Sequence, residues 1–277
     1  GLTMFQNLRK SKKLLLIAMT CATFAIAGCG SDTTKTTADN GPSVTWSETF
    51  DGTKTDFAVK SAPTHAVSMS QATTEMMLQL GLEDKMAGTA FKEEEIYPPL
   101  QAAYDKVKVL SEKWPSYEVF MSVKPDFATG WPDSFSKRAI PADKMIAQKV
   151  NIWLPESMLS TKADLETNFN DMIKLGEIFG VKPKAEEWVA SQRKTLEAIQ
   201  AKLKDLPRKR VFIYDSEDGQ PFTAFEGYTT NILKLIGADN VMSGLGVDKT
   251  WAKGSWETVI AQNPDYIIIA DYGTSIR

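Results

Sequence analysis

Between residues 182 and 206 the apolar positions recur at helical spacing. Leu196, Ile199, Leu203 and Leu206 follow one another at intervals of three, four and three, with Trp188 and Val189 on the preceding turns. The intervening residues are largely Glu, Lys, Gln and Ala; Pro183 suits a first turn and Pro207 closes the run. This pattern predicts one amphipathic helix over 182–206, about 35 Å long at ~1.5 Å per residue.

On either side, short apolar runs alternate with short helical patterns. Strands are expected over 65–69, 85–89, 107–110, 126–131 and 151–154, with helices over 71–80, 117–123, 141–148 and 162–179. Residues 44–59 alternate around Asp51-Gly52 and read as a hairpin. Beyond Pro207, strands are expected over 210–215 and 266–270 and helices over 228–236 and 256–262. Such alternation is the mark of parallel sheets flanked by helices.

The two flanks resemble each other. Thr73-Thr74-Glu75 running to Gly81 is matched by Thr229-Thr230-Asn231 running to Gly237. Ser116-Tyr117-Glu118 leading to Pro125-Asp126 is matched by Ser255-Trp256-Glu257 leading to Pro264-Asp265. The pairs occur in the same order, which predicts a duplicated α/β unit: a first lobe at 43–181, a linker helix at 182–206 and a second lobe at 207–277. The second lobe has fewer elements than the first, so a further strand and helix are expected beyond Arg277.

The first residues carry a different pattern. Arg9, Lys10, Lys12 and Lys13 precede a short apolar run over 14–26, as in an export signal, with Met4 as the expected start. The run closes on Ile26-Ala27-Gly28-Cys29, which resembles a bacterial lipobox. It implies cleavage after residue 28, lipidation at Cys29 and attachment to the outer face of the cell membrane. The polar residues 29–42 read as a flexible tether. Removing residues 1–28 takes away four basic groups and no acidic one, moving the formal charge from −3 to −7. That argues against nucleic acid as a partner. Cys21 and Cys29 are the only cysteines, so no disulfide or thiolate nucleophile is expected in the mature fold.

Aromatic residues supply the candidate chemistry. Trp131 ends a predicted parallel strand, and Trp114 lies just beyond another. Open α/β sheets bind ligands at those carboxyl ends. Phe91, Phe135, Tyr228 and Trp251 fall in comparable loops, and flat rings there suit a large planar or chelate ligand. Arg138, with Lys92 or Lys137, would offset an anionic chelate. For each ring the alternative is a place in the core, and for each cation a solvated surface; Trp188, on the linker helix, is expected in the core. His65 is the single histidine and is read as structural, so a carrier of bare metal ions is disfavoured and no protein-bound metal or cofactor is expected.

Taken together, the chain resembles the solute-binding lipoproteins of ABC importers that handle iron–siderophores, haem and cobalamin. The resemblance rests on the lipobox, Ser68-Met69-Ser70 with Thr73-Thr74-Glu75, Lys124-Pro125-Asp126, the long helix, Gly237-Ala238-Asp239-Asn240-Val241, and Ser255-Trp256-Glu257 with Asn263-Pro264-Asp265. It implies a monomer of two lobes joined by one rigid helix, with small opening motions, delivering its ligand to a membrane permease. An iron–siderophore stands first among ligands. Gly88-Thr89-Ala90, Tyr104 with Val109-Leu110, and Trp114-Pro115-Ser116 look like a branch for corrinoid-like or deazaflavin-type ligands, which stand next. The resemblance also implies one acidic docking residue on each lobe. Glu75 holds that place in the first lobe; its counterpart Asn231 departs from it, leaving Glu226 as the neighbouring candidate.

An enzyme is the main alternative, and a surface adhesin or sensor on the same fold is another. Trp131-Pro132-Asp133 is similar to the acid loop of tyrosine phosphatases, but the mature chain has no cysteine nucleophile. No Gly-x-Ser-x-Gly elbow, phosphate loop or dinucleotide fingerprint is present.

Overall fold

The computed structural model describes residues 43–270. The expected signal segment, Cys29 and the tether lie outside the described residues.

The chain enters through a hairpin, β1 (Val44–Phe50) and β2 (Thr53–Val59), turned at Asp51 and Gly52, both with positive φ. A first α/β unit follows. Its elements are β3 (Ala66–Ser68), α1 (Gln71–Gln79), β4 (Met86–Ala90), α2 (Gln101–Tyr104), β5 (Val109–Ser111), α3 (Tyr117–Ser122), β6 (Phe127–Thr129), α4 (Ala142–Ala147) and β7 (Asn151–Trp153). The five strands β3 to β7 form one parallel sheet in the order β5-β4-β3-β6-β7. The strand order reverses between β3 and β6, which places a topological switch point at their carboxyl ends. β3 and β6 are buried throughout, as a sheet covered on both faces requires.

Side chains of the hairpin close one edge of this sheet. Trp46 Nε1 donates to Ile152 O at 2.8 Å, and Leu154 N donates to Glu48 Oε1 at 3.0 Å. These groups lie on or just past β7, whose outer edge has no strand partner.

Helix α5 (Leu165–Ile178) begins at an Asp164 cap and stops at Gly180, where Val181 N bonds Gly176 O and Gly180 N bonds Glu177 O. It turns back into the linker helix α6 (Lys182–Leu203). α6 stops short of the expected end at Leu206. Ala185 and Val189 are its buried residues, Trp188 packs edge-on against Phe169, and Leu206 is 60% exposed. The apolar stripe is thus buried at its start, half-covered at Leu196, Ile199 and Leu203, and bare at its end.

The second unit comprises β8 (Lys209–Tyr214), β9 (Ser216–Asp218), β10 (Gln220–Ala224), α7 (Tyr228–Leu235), β11 (Ala238–Asn240), β12 (Trp251–Lys253), α8 (Trp256–Gln262) and β13 (Tyr266–Ile269). β11, β8 and β13 form a parallel sheet with β8 in the middle, while β9, β10 and β12 form a separate antiparallel sheet absent from the sequence-based expectation.

The repeat read from the sequence is visible in matching bonds. Asp126 accepts from the amides of Thr64 and His65, and its own amide donates to His65 O. Asp265 accepts from Arg210 N and returns its amide to Arg210 O. The residues two positions before these aspartates, Lys124 and Asn263, both adopt positive φ. Ser116 and Ser255 each cap the start of the helix that leads to these positions. Each Pro-Asp pair therefore does the same work, tying the start of a neighbouring strand, β6 or β13, to the start of the central one, β3 or β8.

Candidate functional site

Three of the predicted rings meet at the switch point. Phe91 follows β4, Trp114 lies between β5 and α3, and Trp131 follows β6. The Phe91 ring stands 4.7 Å from Trp114 and 5.1 Å from Trp131, and the two tryptophans are 6.4 Å apart and nearly perpendicular. These are attractive edge-to-face and tilted geometries. All three rings are half-buried, so part of each remains open to solvent.

The local sequence explains how they are held. Trp114 Nε1 donates to Met69 O at 3.0 Å, just beyond β3. Trp131 N donates to Ser134 Oγ at 3.1 Å. Gly130 lets these loops approach: a Cβ there would lie 2.7 Å from Ser134 Oγ and 2.9 Å from Met69 Cβ. Beneath the rings, Ser68, Thr73, Thr74 and Thr89 form a buried hydroxyl network, with Thr74 Oγ1 2.8 Å from Ser68 Oγ and 2.7 Å from Thr89 Oγ1. Thr129, in register with Ser68 on the next strand, keeps a buried hydroxyl without a protein partner.

Phe91 also has an unusual backbone, with φ +60°. Among the described residues, the other non-glycine positive-φ positions are the hairpin turn at Asp51 and the helix ends at Lys124, Lys149 and Asn263. Those are ordinary places for this conformation. A bulky aromatic in mid-loop is not, and the conformation costs on the order of 1–2 kcal/mol.

The loop after Phe91 is tied to α1 by two side chains. Gln71 Oε1 accepts from the amides of Glu93 and Glu94 at 2.8 and 2.9 Å, and its Nε2 donates to Glu95 O at 3.2 Å. One helical turn on, Glu75 Oε1 accepts from Tyr97 N at 2.8 Å. Burial raises the Glu75 pKa, while the Tyr97 amide and the Gln71 side chain pull it down.

The remaining predicted residues fall elsewhere. Phe135 is a correction: it is 3% exposed and packs beside Phe50, because the turn Pro132–Phe135 swings it into the core. Arg138 is exposed and paired with Asp133 at 2.8 Å, and Lys92 and Lys137 are exposed. Trp251 lies in the antiparallel sheet and stacks on Phe222 at 6.3 Å. Tyr228, the first residue of α7, is pushed up to about 12 by burial, with the Asp171 charge adding to the effect. His65 is exposed at the start of β3, at the opposite end of that strand from the rings.

The two expected docking carboxylates both bond within the chain. Glu75 is 7% exposed and faces the strapped loop. Glu226 is half-buried and accepts from Ser243 Oγ and Gly244 N, holding the turn that follows β11. Asn231, at the departing position, donates to Ala163 O at 2.7 Å and so joins the two units. A second pair of carboxylates was not singled out from the sequence. Glu118 and Glu257 are exposed, stand in the first turns of α3 and α8, and occupy matching positions in the repeat. The repeated Ser-x-Glu was the signal that could have found them.

The second unit meets the first through the loop that follows β7. The loop after β7 runs through Ser160 and Thr161, and a Cβ on Gly227 would lie 3.2 Å from Ser160 O. Asp171, on α5, accepts from the amides of Glu156 and Ser157 in that loop. Burial raises it to about 6, against those hydrogen bonds. Glu48 is raised to about 7, chiefly by burial, with Glu156 and Asp171 adding repulsion.

Among the described residues no group of three or more His, Cys, Asp and Glu is placed to hold a metal ion. No described helix is long and apolar enough to cross a membrane.

Known proteins resemble the chain throughout. Residues 67–275 match the family described as "Periplasmic binding protein". A crystal structure of a periplasmic binding protein from Veillonella parvula is 96% identical, covering 85% of this chain and 80% of that one, with a TM-score of 0.83. An uncharacterised ABC transporter substrate-binding lipoprotein, YvrC of Bacillus subtilis, is 26% identical over 95% of this chain and 82% of its own length. A vitamin B12-binding protein of Vibrio vulnificus is 24% identical over 78% of this chain and 74% of its own.

Proposed function

We propose, from the premise that this chain belongs to the periplasmic binding protein family, that it captures a metal chelate outside the cytoplasm and hands it to an ABC-importer permease. The observation that carries this reading is the open three-ring cluster of Phe91, Trp114 and Trp131 at the switch point. Half-buried rings at that place offer apolar and stacking contact to a bulky ligand. The ligand is an iron–siderophore or a corrinoid, with a deazaflavin-type molecule, which is planar but carries no metal, as the next candidate outside the chelates. The name of the Vibrio vulnificus relative supports the corrinoid arm. Binding is reversible and leaves the ligand unchanged. Cys29 anchors the protein to the membrane.

Docking to the permease runs through Glu118 and Glu257. Each is exposed on a short helix, and the repeat gives them equivalent places on the two units.

The test is titration of the protein with ferric hydroxamates, cyanocobalamin, haem and a deazaflavin, read by intrinsic tryptophan fluorescence. Saturable quenching by one of them at micromolar concentration is expected. A folded protein that binds none of them removes the reading.

A further inference from the structure

We propose that Gln71 is a positioning residue for the ring site, holding Phe91 against Trp114 and Trp131 through the loop that follows. This rests on reading the ring cluster as the ligand site. Gln71 is 6% exposed in the first turn of α1, where Ser70 caps the helix. Its side-chain amide engages three consecutive residues, taking the amides of Glu93 and Glu94 and giving a bond to Glu95 O.

Residues at i and i+4 share a helix face, so Glu75 continues the same line and takes Tyr97 N. Together the two side chains satisfy three amides of a loop that belongs to no sheet, and buried or half-buried amides need such partners.

Phe91 precedes the first strapped amide by two residues and holds a positive φ that a free chain leaves readily. Without the strap, the loop relaxes toward extended backbone and carries the ring off the tryptophans. The site is therefore preformed by α1 and does not wait for the ligand to assemble it.

The experiment compares the intact protein with Q71A and with Q71E, which keeps the acceptor for both amides. Three signals are read: near-ultraviolet circular dichroism from the Trp114–Trp131 pair, hydrogen exchange at residues 93–97, and affinity for cyanocobalamin and a ferric hydroxamate. In Q71A the near-ultraviolet band falls, protection at 93 and 94 is lost, and the dissociation constant rises on the order of tenfold, a change of ordinary size for a lost preorganised contact. Q71E keeps most of the band, because both amides keep their acceptor, and binds more tightly than Q71A while falling short of wild type, because the bond to Glu95 O is lost.

A wild-type band in Q71A overturns the proposal. So does a Q71E protein that loses the band as fully as Q71A, because then the acceptor contacts are not what sets the rings. A wild-type protein that binds neither probe removes the carrier reading, while the dichroism and exchange signals still decide whether Gln71 places Phe91.

Discussion

The Glu48 carboxylate, buried under the hairpin, accepts its hydrogen bond from the Leu154 amide just past the sheet's edge strand. It is raised from 4.5 to about 7, and Asp171 behind it from 3.8 to about 6. A raised carboxylate contributes stability that is fully present below its unfolded pKa and is lost as pH rises through the folded one. Stability from Glu48 is therefore present below pH 4.5 and lost through about 7; that from Asp171 is lost between 3.8 and about 6. Glu48→Gln keeps the bond to Leu154 and abolishes the burial of charge. It is expected to stabilise the fold at pH 8 by about 3 kcal/mol and to do little at pH 4. Urea unfolding at both pH values checks this; an equal effect at the two would count against it.

Trp131→Ala removes one wall of the ring cluster while leaving the core below intact. Its loss is expected to weaken ligand binding by at least about tenfold, with thermal stability little changed, since the ring is half-buried. Trp114→Phe keeps a ring but loses the bond to Met69 O. It should bind with a smaller deficit, and calorimetric titration would separate the two.

Charge reversal at Glu118 and Glu257 tests docking. The double variant is expected to bind ligand normally but to stimulate the permease's ATPase on the order of tenfold less, since opposed charges steer such encounters. Glu75→Arg is a poor alternative probe, because Glu75 is buried and would unfold the strapped loop. Normal stimulation by the double variant would send the docking surface elsewhere.

Gly176→Ala tests the packing of α5 on α6. A Cβ there would lie 2.8 Å from Ala185 Cβ and 3.2 Å from Lys182 Cα, so the helices must separate. The gain in helix propensity, about 1 kcal/mol, offsets only part of the overpacking. A net loss of about 1–2 kcal/mol is expected by chemical denaturation, and a stabilised variant would show that the helix pair yields.

Much of this architecture could be read from the chain because its signals are local. Gly81 and Gly180 end helices where expected, Asp51-Gly52 turns the hairpin, and the two Pro-Asp pairs announced a repeat that the hydrogen bonds bear out. Six aromatic residues read as one group from the sequence; the three that the structure brings together, Phe91, Trp114 and Trp131, each lie beyond a parallel strand. What failed was non-local. Whether Glu75 faces solvent depends on a loop some twenty residues away that roofs its helix. Phe135 was misplaced because a single turn decides which way it points. The antiparallel sheet escaped notice because its strands are short, one carries Pro221, and the Asp218-Gly219 turn signal was passed over. The long helix was overrun at its end because Leu206 keeps the apolar spacing after the helical hydrogen bonding has stopped.

The hairpin's grip on β7 has a consequence at high protein concentration. A bare strand edge invites a neighbouring chain to add itself on. Here an indole and a carboxyl occupy Ile152 O and Leu154 N, so an arriving strand would have to evict both before it could register. Neighbouring copies can thus stand close together without templating one another.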